Sequence, residues 1–264
     1  MIRLRLAALC AGSAAAFVGF GCGGSAGEAE AAATAATVAS SPAATTASRT
    51  CAEGAFRRLE TRRVAHGAAV RSHATAYARP HGRPIARFGR LNVNRVPTIF
   101  GVLGARLHAD CRPAWYRVRL PRKPNGIVGW VRARELIVVP VSTRILVDLS
   151  ERRVTLYRSG REVLTTRAAI GSSATPTPTG SYYVNQRLVP TDPGGPFGPG
   201  AIGISAFSEV LTGWTQGGPI AIHGTDRPDL IGQAVSNGCI RVRNDVLLRL
   251  FEAALAGTPV VVRA

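Results

Sequence analysis

Residues 236–241 read Ser-Asn-Gly-Cys-Ile-Arg, and their cysteine, Cys239, is the only one between residues 141 and 264. The same part of the chain contains one histidine, His223, which ends an apolar run that begins at Pro219. The glycine directly before the cysteine allows a tight turn and a close approach of a ligand to the backbone. A loop that joins two strand ends can bring the histidine and the cysteine within hydrogen-bond reach. We therefore treat them as a candidate nucleophile and its general base.

A cysteine–histidine pair is suited to attack on a carbonyl carbon. Near neutral pH a free thiol is mostly protonated, and a neighbouring imidazole lowers its pKa. The imidazole accepts the thiol proton during attack and later returns a proton to the leaving group. The backbone N–H groups of the turn at Asn237, Gly238 and Cys239 are candidate donors to the oxyanion. The alternative is that Cys239 is a small buried side chain and His223 a core residue.

The sequence around this motif predicts a mainly β structure. Apolar and polar residues alternate over residues 145–150, and the Ser-Gly pair at 159–160 predicts a hairpin turn. Residues 190–200 are rich in Pro and Gly and predict an irregular loop. One helix is predicted, with Asn244 as its N-cap. The apolar residues on one face of this helix are Val246, Leu247, Leu250 and Ala254.

Residues 143–264 resemble the L,D-transpeptidase (YkuD-like) catalytic domain. The family motif is a histidine, an intervening segment, and then Ser/Thr-x-Gly-Cys-aliphatic-Arg/Asn. The matching pieces of this chain are His223-Gly224-Thr225, Ile231-Gly232 and Ser236-Asn237-Gly238-Cys239-Ile240-Arg241. Agreement extends to Ile170-Gly171, to the stretch from Thr175 to Gly180, and to Tyr182-Tyr183-Val184. The resemblance covers nearly half of the chain.

The resemblance implies a fold and a role for the residues of the motif. The fold would be an L,D-transpeptidase-type β-sandwich with one late helix. Cys239 would be the nucleophile, which forms a thioester with a peptidoglycan stem peptide. His223 would be the general base, oriented by the carbonyl of Gly224. Arg241 and Ser236 would bind the substrate, since a guanidinium suits the geometry of a carboxylate.

The implied activity is acyl transfer in cell-wall biogenesis. A tetrapeptide stem would lose its terminal D-Ala and be joined to the side-chain amine of a neighbouring stem, which gives a 3–3 crosslink. Two alternatives stay open: an L,D-carboxypeptidase that hydrolyses the same bond, and a non-catalytic wall-binding protein. Asn237 departs from the pattern, because many family members have a second histidine there. No cofactor and no metal are expected, since residues 141–264 contain no ligand cluster.

The positive charge is concentrated in the middle of the chain. The formal net charge is +18, and residues 51–140 contain 18 basic and 4 acidic residues. Residues 141–264 contain 12 basic and 9 acidic residues and are close to balanced. The excess predicts a polyanionic partner for the middle segment.

Residues 51–140 predict a separate small, basic, all-β barrel. Two β-like runs, at 115–120 and 127–131, flank a turn-rich stretch. The residues Gly-Trp-Val at 129–131, followed by Arg-Glu-Leu at 134–136, resemble the closing strand of bacterial Src-homology-three-like barrels. Such modules often accompany cell-wall enzymes. The sequence therefore divides the structured chain into this barrel and a catalytic domain at 141–264.

The N-terminal residues predict export to the cell envelope. Residues 1–22 combine Arg3 and Arg5 with an apolar stretch and are typical of a secretory signal; a retained membrane anchor is the alternative. Cys22 is a candidate lipidation site, as in a lipoprotein. Residues 23–50 are rich in Ala, Gly, Ser and Thr and predict a disordered tether. Export favours anionic envelope polymers over nucleic acid as the polyanionic partner.

The cysteine count fits an exported protein. Cys51 and Cys111 are the only cysteines of the basic segment, and they either form a disulfide or remain two thiols. If they pair, Cys239 is left as an odd thiol, which calls for an explanation in an exported protein.

Overall fold

The computed structural model describes residues 50–211 and 213–264. The signal predicted over 1–22, the candidate lipidation site Cys22 and all but the last residue of the tether predicted over 23–50 lie outside these ranges. Within the described ranges, every helix falls short of the length and apolarity that a bilayer span requires.

The first sheet is antiparallel throughout. Its eight strands are β1 (Phe56–Arg58), β2 (Ala65–Val70), β3 (His73–Tyr77), β4 (Pro84–Gly89), β5 (Ile99–Leu107), β6 (Pro113–Arg119), β7 (Val128–Arg132) and β8 (Leu136–Val141). Their order is β4-β3-β7-β6-β5-β2-β8, with β1 paired to β5. Because alternate residues of a strand share a face, one face collects a buried apolar cluster. Its larger members include Phe100, Val102, Val118, Val131 and Leu136.

The remaining strands are β9 (Thr143–Asp148), β10 (Arg153–Arg158), β11 (Arg161–Arg167), β12 (Ile170–Gly171), β13 (Gly180–Leu188), β14 (Ala201–Phe207), β15 (Pro219–His223), β16 (Ala234–Ser236), β17 (Ile240–Arg241) and β18 (Pro259–Arg263). Eight of them form a second, mixed sheet in the order β11-β10-β9-β18-β13-β14-β15-β17, and β12 pairs with β16 in parallel. Single 3-10 turns lie at Ala133–Glu135, Thr215–Gly217 and Pro228–Leu230. The prediction of a mainly β fold is confirmed.

The α-helix α1 (Asn244–Ala253) lies where the sequence predicts it, but the predicted N-cap is wrong. Arg243 occupies the cap position with extended backbone angles, and Asn244 is the first helical residue. The Oδ1 atom of Asn244 instead accepts a hydrogen bond of 2.8 Å from the backbone N–H of Thr225. A partner from a distant loop therefore takes the side chain that local propensity assigns to the cap. The helix packs on the second sheet through two buried side chains, Leu247 and Leu250.

The two sheets pack directly on one another. Only Ser142 separates the end of β8 from the start of β9. The buried ring of Tyr183 lies against Gly101, where a Cβ atom would come within 2.8 Å of the ring. The hydroxyl of Tyr183 donates a 2.9 Å hydrogen bond to the carbonyl of Ile99. A tyrosine of the second sheet is thus inserted against β5 of the first, and the absence of a side chain at Gly101 makes room for it.

Cys51 and Cys111 form a disulfide that joins residues 60 positions apart. Of the two possibilities that the sequence left open, the structure has the disulfide. Cys111 follows β5, while Cys51 precedes β1, which pairs with β5. The bridge therefore fastens the start of the first sheet to a long central strand. Cys239 is the one free cysteine in the part of the chain that the structure describes.

Candidate active site

The predicted pair lies on two adjacent parallel strands. The register of β15 and β17 pairs Ile222 with Ile240. Cys239, one residue before Ile240, therefore lies beside Ala221, and His223 lies two residues further along β15. Because alternate side chains share a face, cysteine and histidine lie on the same face of the sheet. Strands about 4.8 Å apart with a rise of about 3.3 Å per residue place their Cα atoms about 8 Å apart, which their side chains can bridge.

The opposite face of these strands is the apolar core. Ile220, Ile222 and Ile240 are fully buried there, together with the leucines of α1. The alternation that sends three isoleucines inward therefore sends the intervening Ala221, His223 and Cys239 to the other face. Packing of the core thus fixes the direction of both candidate catalytic side chains.

His223 is held as a neutral imidazole of one tautomer. Its side chain is 4% exposed, and its Nδ1 atom lies 2.6 Å from the carbonyl oxygen of Gly224. A carbonyl only accepts hydrogen bonds, so Nδ1 must be the protonated nitrogen and Nε2 is left with its lone pair. The pKa of His223 is lowered to about 4, mainly by burial and to a smaller extent by the charge of Arg241, although the Gly224 hydrogen bond and Asp226 act in the opposite direction. At neutral pH the ring is therefore a proton acceptor through Nε2.

Cys239 is a half-buried thiol. Burial raises its pKa above the ordinary value, and this outweighs a backbone hydrogen bond from Ala221 and the charge of Arg241, which both lower it. The directions of the two shifts, up for the thiol and down for the imidazole, favour an uncharged pair at rest. Such a pair exchanges its proton during attack rather than beforehand.

Ser236 shapes the turn that carries the cysteine. Its hydroxyl donates to the carbonyl of Cys239 and accepts a 3.1 Å hydrogen bond from the N–H of Gly238. The side chain is 1% exposed. In the structure the hydroxyl is occupied by these two backbone contacts, which position the turn, and substrate binding by Ser236 stays a prediction. Because the N–H of Gly238 donates to Ser236, it is not available to an oxyanion. Of the three donors predicted in this turn, the N–H groups of Asn237 and Cys239 remain.

Two threonines of a second segment hydrogen-bond to the backbone of this turn. The hydroxyl of Thr177 donates to the carbonyl of Gly238 and accepts from the N–H of Gly171, both at 2.9 Å. The hydroxyl of Thr175 donates to the carbonyl of Ser236, also at 2.9 Å. Gly238 has φ = +105°, a conformation that residues with a Cβ atom rarely adopt. The two threonines lie in the Thr-Pro-Thr-Pro-Thr-Gly stretch that the resemblance included, but sequence alone assigned them no role.

Phe197 is a site residue that the sequence did not indicate. Its ring centroid lies 4.9 Å from that of His223, and its side chain is 46% exposed. It belongs to the Pro/Gly-rich loop predicted over 190–200. A single apolar residue in such a loop is a weak sequence signal, and its place beside His223 becomes evident only in the folded structure. In the structure this ring shields one side of the imidazole and contributes to the burial that lowers its pKa.

Arg241 and Asn237 occupy the rim of the site. Arg241 faces His223 across the β15–β17 ladder. Its Nε atom is buried and has no hydrogen-bond partner among the described residues, so this guanidinium retains an unused donor beside the cysteine. Asn237 is exposed. In the part of the chain that the structure describes, no group of three or more His, Cys, Asp or Glu side chains is placed to hold a metal ion.

Comparisons with known proteins identify a family for this chain. The sequence profile of the YkuD family, the L,D-transpeptidase catalytic domain, matches residues 142–262. An L,D-transpeptidase YkuD of Bacillus licheniformis is 37% identical over 143 residues, which are 52% of this chain and 78% of that protein. The chain belongs to the YkuD family. A second YkuD-family member, from Bacillus subtilis, is 34% identical over 137 residues, which are 49% of this chain and 76% of its own length.

The chain is also similar to parts of solved L,D-transpeptidase structures. An Enterococcus faecium L,D-transpeptidase mutant is 28% identical, with a TM-score of 0.35, over 46% of this chain and 49% of that one. The chain thus spans about half of that protein. L,D-transpeptidase 3 of Mycobacterium tuberculosis, solved with a faropenem-derived adduct, is 20% identical, with a TM-score of 0.38, over 52% of this chain and 73% of that one.

Proposed function

We propose that the protein is a peptidoglycan L,D-transpeptidase in which Cys239 is the nucleophile and His223 the general base. One observation carries the assignment of these roles. His223 and Cys239 project from the same face of adjacent parallel strands, and the Gly224 carbonyl leaves Nε2 as the only basic nitrogen of the ring. The substrate class follows from membership of the L,D-transpeptidase family.

The first half of the reaction forms a thioester. Nε2 of His223 accepts the thiol proton as the sulfur of Cys239 attacks the carbonyl carbon of the third stem residue. The resulting oxyanion is stabilised by backbone N–H groups of the turn that precedes β17. As the intermediate collapses, the imidazolium returns the proton to the departing nitrogen, and D-Ala leaves as a neutral amine. The acyl group is then held on sulfur.

The second half transfers the acyl group to an amine. His223 accepts a proton from the acceptor amine as its nitrogen attacks the thioester carbon. Collapse of the second tetrahedral intermediate breaks the carbon–sulfur bond, and the imidazolium protonates the sulfur. A new amide and the free thiol result, so the pair returns to its uncharged resting state. The Nε donor of Arg241, which has no partner among the described residues, supports a role for this side chain in binding a substrate carboxylate.

A disaccharide-tetrapeptide isolated from peptidoglycan tests this function. Purified wild-type protein should release D-Ala and yield crosslinked dimers, whereas Cys239→Ala should do neither. His223→Asn is the matched control for the base, because its amide can still donate to Gly224 but cannot accept a proton. A disaccharide-tripeptide with a free carboxylate, formed when water and not an amine attacks the thioester, would identify a carboxypeptidase. No D-Ala release by the wild type would contradict an enzymatic role and leave wall binding.

The first sheet supports a second part of the proposal, binding to anionic polymers of the envelope. In segment 51–140, Glu60, Asp110 and Glu135 form ion pairs with arginines, and the fourth acidic residue, Glu53, lies 3.4 Å from Nδ1 of His108. Three of the 18 Lys and Arg residues, namely Arg112, Arg119 and Arg132, pair with these acids, which leaves 15 without an acidic partner. Binding of full-length Cys239→Ala protein to purified sacculi should weaken as salt is raised. Binding that is insensitive to salt would contradict the electrostatic account.

We further assign the first sheet to the Src-homology-three-like class, and the protein to the extracytoplasmic cell wall, where its substrate lies. The resemblance of residues 129–136 to the closing strand of such barrels supports the first assignment. Residues 1–22, as a signal with Cys22 as a lipidation site, would bring the chain there. Mass spectrometry of the mature protein distinguishes a lipidated Cys22 from a simply cleaved signal.

A further inference from the structure

The loop between β13 and β14 is packed directly onto the backbone that follows His223. Gly198 of this loop has φ = +60°, and a Cβ atom added there would lie 2.8 Å from the Cα atom of Gly224. A Cβ atom added to Gly224 would in turn lie 3.0 Å from the Cα atom of Gly198. Neither position has room for a side chain, so the two backbones touch. This contact fixes the position of the residue that precedes Gly198, which is Phe197.

Phe197 covers one side of the imidazole of His223. The two ring centroids are 4.9 Å apart, and the ring planes form an angle of 55°. At this separation the rings are in van der Waals contact, and no water molecule fits between them. The imidazole is buried, whereas Phe197 itself is exposed. Phe197 therefore stands between the imidazole and the solvent.

The acyl-enzyme of the proposed reaction can react with an amine or with water. In the reaction with water, the water molecule gives a proton to Nε2 of His223 as its oxygen bonds to the thioester carbon. The carbon–sulfur bond then breaks, the imidazolium protonates the sulfur, and the stem is released with a carboxyl group at its end. A water molecule held for such an attack needs about two to four polar partners, and an apolar ring beside the base offers none. An acceptor amine is held instead by the stem to which it belongs.

We propose that Phe197 is a positioning residue that keeps water away from His223 and thereby directs the acyl-enzyme toward an amine acceptor, an inference that rests on the proposed function. The ring acts through the imidazole, because it fills the space in which an attacking water would find its other hydrogen-bond partners. The expected main product is therefore the crosslink and not the free tripeptide stem.

The same contact affects the ionisation of His223. Burial is the main cause that lowers the pKa of this histidine to about 4, and Phe197 contributes to that burial. The groups with charge or titratable protons that face the ring are Arg241 on β17, Asp226 in the loop after β15, and the thiol of Cys239. Removal of the phenyl ring leaves all three in place. A change in the titration of His223 would then report the loss of its apolar cover.

Product analysis of Phe197→Ala tests the proposal. With a disaccharide-tetrapeptide as donor and acceptor, the ratio of disaccharide-tripeptide to crosslinked dimer should rise by about ten-fold, which corresponds to about 1.4 kcal/mol in the competition between the two steps. The acid limb of kcat/KM should also move upward from near pH 4 toward pH 6.5. Phe197→Leu retains an apolar cover and should keep both quantities near those of the wild type. Leu248→Ala, which truncates an exposed apolar residue of α1, is the matched control and should change neither.

Phe197→Gln separates apolar cover from mere bulk. The amide fills similar space but offers partners to water, so this variant should hydrolyse the acyl-enzyme as Phe197→Ala does. A folding defect in one of these two variants leaves the other to decide. Unchanged product ratios in both would overturn the proposal, as would a Phe197→Leu enzyme that hydrolyses as readily as Phe197→Ala.

Histidine NMR on Cys239→Ala protein gives a readout that needs no turnover. The signal of His223, identified by its loss in His223→Asn, should titrate at higher pH once Phe197→Ala is added. An unchanged titration would show that Phe197 does not control the access of water to the base. Failure of the proposed function has a different signature, since it shows as absent D-Ala release by the wild type while the NMR titration still reports on the ring contact.

Discussion

The side chain of Asn244 accepts a hydrogen bond from the backbone N–H of Thr225, across 2.8 Å. This bond ties the first turn of α1 to the loop that follows His223. The carbonyl of Gly224, one residue earlier in that loop, fixes the tautomer of the histidine. The orientation of His223, the proposed general base, therefore depends on helix α1.

We expect Asn244→Ala to reduce kcat by about ten-fold or more and to change KM little. Loss of the acceptor leaves the Thr225 N–H unpaired and frees the loop that holds Gly224, at a cost of about 1–3 kcal/mol in the free energy of unfolding. Steady-state kinetics and urea denaturation measure the two effects. Asn244→Asp retains an acceptor oxygen and should restore most of the activity. A merely structural role would show as lost stability with unchanged kcat.

Ser236→Ala should disable the turn around the cysteine. The substitution leaves the N–H of Gly238 without its partner and should cost about 1–3 kcal/mol of stability. Displacement of the turn also moves the sulfur, for which a loss of about 100-fold in kcat is expected. Ser181→Ala, an exposed serine on β13, is the matched control and should leave both quantities unchanged. Full activity in Ser236→Ala would show that the turn keeps its geometry without this hydroxyl.

His223 should make the protein lose stability on mild acidification. Its pKa is about 4 in the folded protein and about 6.5 when unfolded, so the unfolded state binds the proton first. The corresponding stability is fully present above pH 6.5 and is lost as pH falls toward 4, by about 3 kcal/mol. Unfolding free energies of wild type and His223→Asn at pH 7 and pH 4.5 measure this effect. An equal pH dependence in both proteins would show that His223 is not the group responsible.

Cys239 should react with iodoacetamide slowly at neutral pH. Because burial raises the pKa of the thiol, little thiolate is present at rest, and the alkylation rate should continue to rise above pH 9. Intact-mass measurements over a pH series give the rate. A rate that reaches a plateau below pH 7 would indicate a preformed thiolate and contradict the uncharged resting pair.

Removal of the Cys51–Cys111 disulfide should destabilise the protein without impairing the cysteine chemistry. The bridge closes a loop of 60 residues, which contributes about 4 kcal/mol on the chain-entropy model. The double variant Cys51→Ser/Cys111→Ser should therefore unfold at lower urea concentration, while its Cys239 alkylation rate below the transition stays that of the wild type. A changed alkylation rate would indicate that the first sheet controls the environment of the thiol.

The sequence alone indicates the fold class and singles out Cys239 and His223 as the candidate pair. Residues 141–264 contain one cysteine and one histidine, so there is only one candidate for a thiol nucleophile and one for an imidazole base. The spacing of Leu247 and Leu250 predicts α1 correctly. These signals are local, because strand alternation and helix periodicity are read within a few residues of each other.

The residues that support the pair could not be predicted in the same way. Thr177 reaches the carbonyl of Gly238 across 61 residues of sequence, and Asn244 reaches the loop after His223 across 19 residues. Such contacts depend on where loops meet in the folded chain. For this reason the sequence does not reveal that the side chains of Asn244 and Ser236 hydrogen-bond to the backbone around the site.

The single residue between β8 and β9, together with the buried Tyr183 at the interface, has a consequence for how the enzyme would search the cell wall. A catalytic centre on a flexible linker samples every stem within its radius. Here the reactive sulfur keeps a constant offset from any polymer that the first sheet holds. The spacing of the crosslinks along the wall would then follow the repeat distance of that polymer, because each bound molecule could react only at a fixed distance from its binding site.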